Sequence, residues 1–270
     1  MNLAPKGKPV VLAIAGHDPC GGAGVQADIE AIGATGCHAV TVITSFTAQN
    51  TQRVGSVRHQ DPGFFADQIE LLLEDMPVQA CKIGLVADLQ QLGIIERILT
   101  ERLTDIPIVL DPVISAGSGH VFMDNNVCGV LRDSLLPLAT IVTPNSLEAR
   151  ELSGRDDLDQ AAAALLERGA GAVLITGGHE NGEKITNSLY TSGGTTRRYS
   201  RERLPGTYHG SGCTLSSSLA ARLARGEELA KAVELAQDYT WHALRHACQY
   251  GHQQQHPDRM FRCGDPEPRP

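Results

Sequence analysis

Six consecutive residues, His209-Gly210-Ser211-Gly212-Cys213-Thr214, hold the densest chemistry in the chain. Leu215, Leu219 and Leu223 follow at helical spacing, so the six open a helix. The first N–H groups of a helix have no partner inside it, and the helix dipole favours negative charge there. Glycines on both sides of Ser211 let those N–H groups converge on an anion, and phosphate oxygens suit such a nest. The same dipole lowers the pKa of a thiol in the first turn, so Cys213 is expected to form a thiolate readily. A structural cysteine beside a tight turn is the plainer alternative, but it makes no use of the paired glycines.

Other unusual residues stand directly after apolar runs: Gly16-His17-Asp18, Asp111-Pro112, Thr143-Pro144-Asn145 and Thr176-Gly177-Gly178. The runs before them read as strands over Val10–Ala15, Ile106–Leu110, Ile141–Val142 and Ala172–Thr176, joined by others at Val40–Thr44 and Ala80–Ile83. Between them lie helix-length segments. One carries Val25, Ile29 and Ile32 and is closed by Gly36. Others are Phe64–Leu73, Leu89–Leu103, Leu158–Arg168, the Leu215 segment ending at Gly226, and Leu229–Ala247. Continuous apolar strands alternating with helices predict a parallel sheet covered on both faces, with ligands outside the carboxyl ends of its strands. Any one of the four strand ends could simply turn the chain; together they predict an active site. Ile185–Ser200, around Gly193-Gly194, reads as a hairpin added to the sheet. Residues 1–250 are expected to form a single domain, and 251–270, with a Gln run and several prolines, an irregular tail.

Composition excludes several functions. Lys plus Arg number 23 against 31 Asp plus Glu, a net charge of −8, with no basic run to meet a nucleic-acid backbone. No apolar stretch approaches the roughly 20 residues that span a bilayer, and the N-terminal run reads as a first strand rather than a signal peptide. The 7 cysteines are scattered without a Cys-x-x-Cys pair, which predicts reduced thiols in the cytoplasm. Gly177-Gly178-His179-Glu180-Asn181-Gly182-Glu183-Lys184 lacks the spacing of a Walker A motif, and no Gly-x-Gly-x-x-Gly occurs. A phosphoryl transferase built on this chain is therefore not of the P-loop type. Gly21-Gly22-Ala23-Gly24, ahead of another helix, is a weaker second candidate for an anion site.

Residues 13–28, Ala-Ile-Ala-Gly-His-Asp-Pro-Cys-Gly-Gly-Ala-Gly-Val-Gln-Ala-Asp, resemble the opening of the hydroxymethylpyrimidine/phosphomethylpyrimidine kinases of thiamine biosynthesis. The resemblance continues in the same order through Thr47-Ala48-Gln49-Asn50-Thr51, Lys82-Ile83-Gly84-Leu85, Val109-Leu110-Asp111-Pro112-Val113, Thr143 to Ala149 and His209 to Leu215, covering about residues 10 to 247. It implies the ribokinase-like fold, a three-layer α/β/α sandwich with a mainly parallel central sheet. It also implies ATP-dependent phosphorylation of 4-amino-5-hydroxymethyl-2-methylpyrimidine and then of its monophosphate, with Mg2+ as cofactor and a homodimer as assembly. By resemblance, Gln49 pairs with the aminopyrimidine, Gly16, Ala23, Leu85 and Val113 wall the pocket, and Asp28 is a polar position beside it. Gly210, Gly212 and the Cys213 N–H form the anion hole with Ser211, and Cys213 is the base. Asp111 and Glu148 belong near magnesium, and Asn145, Thr176 and Gly178 near the ATP phosphates.

Two positions and the C-terminal segment depart from the family pattern. Family members often carry Lys where this chain has Thr176, which predicts weaker use of the monophosphate than of the alcohol. Cys20 replaces the usual Ser, and the C-terminal segment reads His252-Gln253-Gln254-Gln255-His256-Pro257. The alternatives are a pyridoxal or pyridoxine kinase of the same fold and a non-catalytic pyrimidine-phosphate sensor. A zinc site from Cys248, His252, His256 and Cys263 is a further reading, against which an exposed tail with incidental His and Cys is favoured.

Overall fold

Val10–His17 forms strand β1, and its successive side chains go to opposite faces. Val11 and Ala13 pack into one apolar cluster with Leu215, Leu219, Val233 and Ala236. Leu12 and Ile14 pack into another with Phe65, Ile69, Leu92 and Ile95. A strand buried on both faces must lie at the centre of three layers.

The computed structural model describes residues 7–193 and 196–261. Its other strands are β2 (His38–Gln49), β3 (Val54–His59), β4 (Ala80–Ile83), β5 (Ile108–Leu110), β6 (Ile141–Val142), β7 (Ala172–Ile175), β8 (Lys184–Thr191) and β9 (Thr196–Glu202). Its α-helices are α1 (Gly24–Ala34), α2 (Pro62–Asp75), α3 (Leu89–Glu101), α4 (Asn125–Val130), α5 (Ser146–Ser153), α6 (Leu158–Glu167), α7 (Ser211–Ala224) and α8 (Leu229–Arg245). One sheet runs in the order β3-β2-β1-β4-β5-β6-β7-β8-β9. It is parallel from β2 through β7, with β3, β8 and β9 antiparallel at its edges. Helices α1, α7 and α8 cover one face, and α2 to α6 the other. The α/β/α sandwich and the added hairpin are as expected, although Gly194 of that hairpin lies outside the described residues. Among the described residues no helix is long and apolar enough to cross a membrane.

Three expectations change. Ile29 is 47% exposed, because the inward stripe of α1 is Val25, Asp28 and Ile32, and Ile29 falls one position beyond it. Three elements were not anticipated: β3, a short polar edge strand; α4, a short helix capped by Asp124; and α5, whose Asn145-x-x-Glu148 is a legible capping box. The tail from 251 to 261 has little regular structure, but it is not a loose appendage. Gln254, His256 and Arg259 are buried, Gln255 bridges to Tyr208, and His256 bridges to Cys248. This overturns the picture of an exposed tail at His256, while His252 is exposed as expected. Among the described residues no three His, Cys, Asp or Glu side chains converge as metal ligands, and Cys263 lies outside them.

Candidate active site

Helix capping separates the site from the rest of the fold. Six of the eight α-helices described begin with a side chain that accepts from their first N–H groups: Asp61, Asp88, Asp124, Asn145, Asp157 and Glu228. Helices α1 and α7 have no such cap. Their N-termini meet at the carboxyl end of β1, leaving backbone donors available to an anion.

Glycine makes this meeting sterically workable. Gly210 has φ 75°, and a Cβ there would stand 2.0 Å from the Gly22 carbonyl oxygen. Gly24 has φ 61°, and a Cβ there would stand 2.1 Å from the Gly16 carbonyl oxygen. Asp18 fixes the loop between: its carboxylate accepts from the N–H groups of Cys20 at 2.9 Å, Gly22 at 3.0 Å and Ala23 at 2.9 Å. His209 Nε2 stands 2.8 Å from Asp18 Oδ2. Burial works against the Asp18 charge, yet the bond and charge of His209, with the Cys20 and Ala23 N–H groups, hold its pKa down at about 2.

Below the α7 turn lies a buried charge network. Lys82 Nζ donates to Asp28 Oδ1 at 2.9 Å and Oδ2 at 3.1 Å, and both side chains are 0% exposed. Ser217 Oγ donates to Asp28 at 2.6 Å, and Ser216 Oγ donates to Asp111 Oδ2 at 3.0 Å. Room for the lysine depends on Gly84, where a Cβ would come within 2.6 Å of Nζ. Burial opposes the Lys82 charge, but Asp28, Cys213 and Asp111 raise its pKa well above the usual lysine value. Asp28, expected as a polar position beside the pocket, is fully buried, and its carboxylate is taken up by Lys82 and Ser217. It is the counter-ion of a lysine held beneath Cys213 and Asp111.

Cys213 also differs from expectation. The half-buried thiol is pushed up to about 11 by burial, with Lys82 pulling down, Asp111 and Asp28 pushing up, and the Gly24 N–H pulling down. The helix dipole is outweighed by desolvation and two carboxylates.

Gly16 permits a close approach at the end of β1. A Cβ there would stand 3.2 Å from Leu85 Cδ2 and 3.2 Å from Ser45 Oγ, so β1, β2 and the loop after β4 approach closely. Ala23 and Val113 are half-buried. Gln49, at the end of β2, donates through Nε2 to Thr47 Oγ1 at 2.8 Å, and its carbonyl accepts from the Cys20 thiol at 3.3 Å. Thr47 thus orients the amide.

At the start of α5, Asn145 and Glu148 form a capping box. Asn145 Oδ1 accepts from the N–H groups of Leu147 and Glu148, and Glu148 Oε2 accepts from the Asn145 N–H at 2.9 Å. The Asn145 oxygen is therefore committed to the helix. Asn145 also bridges to Thr176, while Gly178 is exposed and its carbonyl accepts from Arg203 Nη1 at 2.9 Å. Glu148 is pushed up to about 8 by burial and by the nearby Asp111 charge, and burial likewise raises Asp111. Two buried carboxylates that repel one another, with oxygen ligands only, fit a hard divalent cation such as Mg2+.

Comparison with known proteins matches residues 18–258 to the family model for phosphomethylpyrimidine kinase. The chain belongs to the phosphomethylpyrimidine kinase family. Among relatives in this family, the hydroxymethylpyrimidine/phosphomethylpyrimidine kinase of Synechococcus elongatus is 38% identical over 90% of this chain and 94% of its own length. That of Escherichia coli K12 is 35% identical over 87% of this chain and 91% of its own. The phosphomethylpyrimidine kinase of Clostridium difficile superposes with a TM-score of 0.77 at 35% identity, covering 88% of this chain and 100% of that one. The ADP complex of Bacillus subtilis pyridoxal kinase superposes with a TM-score of 0.87 at 29% identity, covering 95% of this chain and 100% of that one. The ribokinase-like fold is shared by both activities.

Two buried cations beside the anion turns, Lys82 and Arg259, whose Nε donates to Thr214 in the first turn of α7, are not evident as site residues from sequence. Lys82 has a visible signal, a lysine inside the wholly buried run Ala80–Ile83. Arg259 has none, since it lies in a stretch that reads as an irregular tail.

Proposed function

We infer that this protein transfers the γ-phosphoryl group of ATP to the hydroxyl of 4-amino-5-hydroxymethyl-2-methylpyrimidine and then to its monophosphate, supplying the diphosphate for thiamine assembly. The observation that carries this reading is the uncapped α7 N-terminus, with left-handed Gly210 seated on Gly22 and Cys213 in the first turn. The substrate hydroxyl oxygen attacks the γ-phosphorus, the bond to the bridging oxygen breaks, and ADP leaves. The N–H groups from Gly210 to Cys213 hold the transferring phosphoryl oxygens, and Gln49 orients the ring by donating and accepting through one amide. Asp111 and Glu148 would hold the magnesium ion, which neutralises charge on the ATP phosphates.

The hydroxyl proton goes to the thiolate form of Cys213. With its pKa near 11 that form is scarce at neutral pH, and Lys82 counters the burial that makes it so. In a loose transition state the O–H bond breaks late, so alignment by the anion hole carries most of the rate and the thiolate contributes a smaller factor. Cytoplasmic location and a homodimer belong to the same reading. Six free cysteines among the described residues suit a reducing compartment, and β2 and α2 expose Phe46, Phe64 and Leu71, which a second copy would cover.

The test is ATP consumption with magnesium on the pyrimidine alcohol, its monophosphate and pyridoxal. Turnover of both pyrimidines is expected. Turnover of pyridoxal alone would move the assignment to the other activity of the fold, and ligand binding without any turnover would make the protein a sensor.

A further inference from the structure

We propose that Arg259, in the C-terminal segment, is a positioning residue that clamps the two walls of the anion hole together; this rests on the phosphoryl-transfer reading above. The side chain is 2% exposed although it lies in a segment with little regular structure. Its Nε donates to Thr214 Oγ1 at 2.8 Å, and that hydroxyl donates to the Gly210 carbonyl at 2.8 Å. Its Nη2 donates to the Gly22 carbonyl, the oxygen against which Gly210 is seated. Its Nη1 reaches the Gly21 carbonyl at 3.4 Å and pairs with Glu30 at 3.0 Å.

One planar fork therefore bonds both the glycine loop before α1 and the first turn of α7. Neither helix has a side-chain cap of its own; Asp18 ties the loop to His209 through the Gly22 and Ala23 N–H groups, and Arg259 ties it to the first turn of α7 through the Gly21 and Gly22 carbonyls and Thr214. The segment that delivers Arg259 is itself anchored. Tyr239 Oη donates to the Arg259 carbonyl at 2.8 Å, and the His209 N–H donates to the Gln255 carbonyl at 2.9 Å. A buried guanidinium spanning two loops is costly unless its donors are used, and these contacts use four of its five N–H groups.

The experiment compares wild type with Arg259→Gln, Arg259→Lys, Thr214→Val and the Arg259→Gln/Thr214→Val double variant at a temperature below all their melting points. Turnover of the pyrimidine alcohol should fall about 10- to 100-fold in Arg259→Gln with KM changed less than about threefold, because about an ångström of misplacement costs up to 10²-fold in rate. Arg259→Lys should recover part of the loss. Thr214→Val should also lower kcat, and the double variant should be little worse than Arg259→Gln alone. A folded Arg259→Gln enzyme with wild-type kcat would overturn the proposal, as would losses that multiply in the double variant. If Arg259→Gln does not fold, Thr214→Val decides alone, and wild-type kcat there overturns the clamp. A second readout does not need turnover: protection of Cys213 by inorganic phosphate from iodoacetamide at alkaline pH, where the thiol is alkylated, followed by mass spectrometry. Protection should require about tenfold more phosphate in Arg259→Gln, and equal protection would count against the clamp. A wild-type enzyme that phosphorylates no pyrimidine would refute the functional reading alone, leaving the protection assay to judge Arg259.

Discussion

The Lys82 ammonium stands 2.9 Å from Asp28 Oδ1 with neither side chain exposed, and Ser217 ties the pair to α7. Removing one partner leaves a buried charge without compensation. Lys82→Met is expected to destabilise the protein by about 3–5 kcal/mol in urea unfolding, and Lys82→Met with Asp28→Leu to recover much of that loss. Because the lysine pKa is raised on folding, its contribution is fully present below the ordinary value of 10.5 and is lost only as pH climbs through the higher folded value. An alkaline melting series should therefore hold steady to pH 10. A single variant as stable as wild type would mean that the pair carries little net energy.

Cys213 is expected to be unreactive at neutral pH and increasingly alkylated by iodoacetamide as pH approaches its raised value of about 11. The rate of phosphoryl transfer should rise with pH over the alkaline range in wild type and lose that slope in Cys213→Ala. General-base removal typically costs about 10² to 10⁴ in rate, and the scarcity of thiolate here places the expected loss near the lower figure. A pH profile unchanged by the substitution would show that the thiol takes no proton.

The two glycines of the turn should behave differently. Gly210→Ala combines left-handed backbone with a Cβ 2.0 Å from the Gly22 carbonyl oxygen, so turnover should vanish and the melting temperature drop. At Gly212 the nearest atom to a Cβ is Asp111 Oδ2 at 3.8 Å, an ordinary contact. Gly212→Ala should fold normally and lose rate only, through the methyl group it adds where the phosphoryl group passes. Equal thermal damage in both variants would contradict the geometry.

Asp18 links the glycine loop to acid stability. Its pKa is lowered, so its stabilising contribution, about 2 kcal/mol, is present above the ordinary 3.8 and is lost as pH falls toward about 2. Asp18→Asn, which keeps one acceptor oxygen but no charge, should flatten the acid limb of a stability–pH curve. An unchanged limb would place the acid sensitivity elsewhere.

Much of this was legible in the sequence because short apolar runs and helical periodicity report burial, and glycines report close approach. The strand ends at Asp18, Asp111, Asn145 and Thr176 lie at the carboxyl edge as the pattern requires. What could not be read were interactions between distant segments. Asp28 is polar and sits in a motif, which suggests a position beside the pocket; only its pairing with Lys82, 54 positions away, shows that its carboxylate is taken up by the lysine. Cys213 was expected to be acidic because its own helix favours the thiolate, whereas burial and the carboxylates of Asp111 and Asp28 arrive from β5 and α1. Arg259 lies in a proline-bearing stretch without periodicity, where local sequence says nothing about burial.

Thr176 allows a test of how charge is handled in the second phosphorylation. The monophosphate brings about two more negative charges to the site than the alcohol does. Lys82, the cation beneath the anion turn, is already committed to Asp28, and Thr176 is neutral at the end of β7 beside Asn145. Thr176 is half-buried, and a lysine there could cover the strand end with its stem while its ammonium reaches solvent. Wild type should therefore use the monophosphate less efficiently than the alcohol. Thr176→Lys should raise kcat/KM for the monophosphate about tenfold, the effect of about 1.4 kcal/mol, while changing that for the alcohol less than about threefold. Parallel initial-rate measurements on the two substrates decide it. Equal wild-type efficiencies, or equal gains on both substrates, would mean that the extra phosphate charge is met by backbone donors and magnesium rather than by a side-chain cation at this strand end.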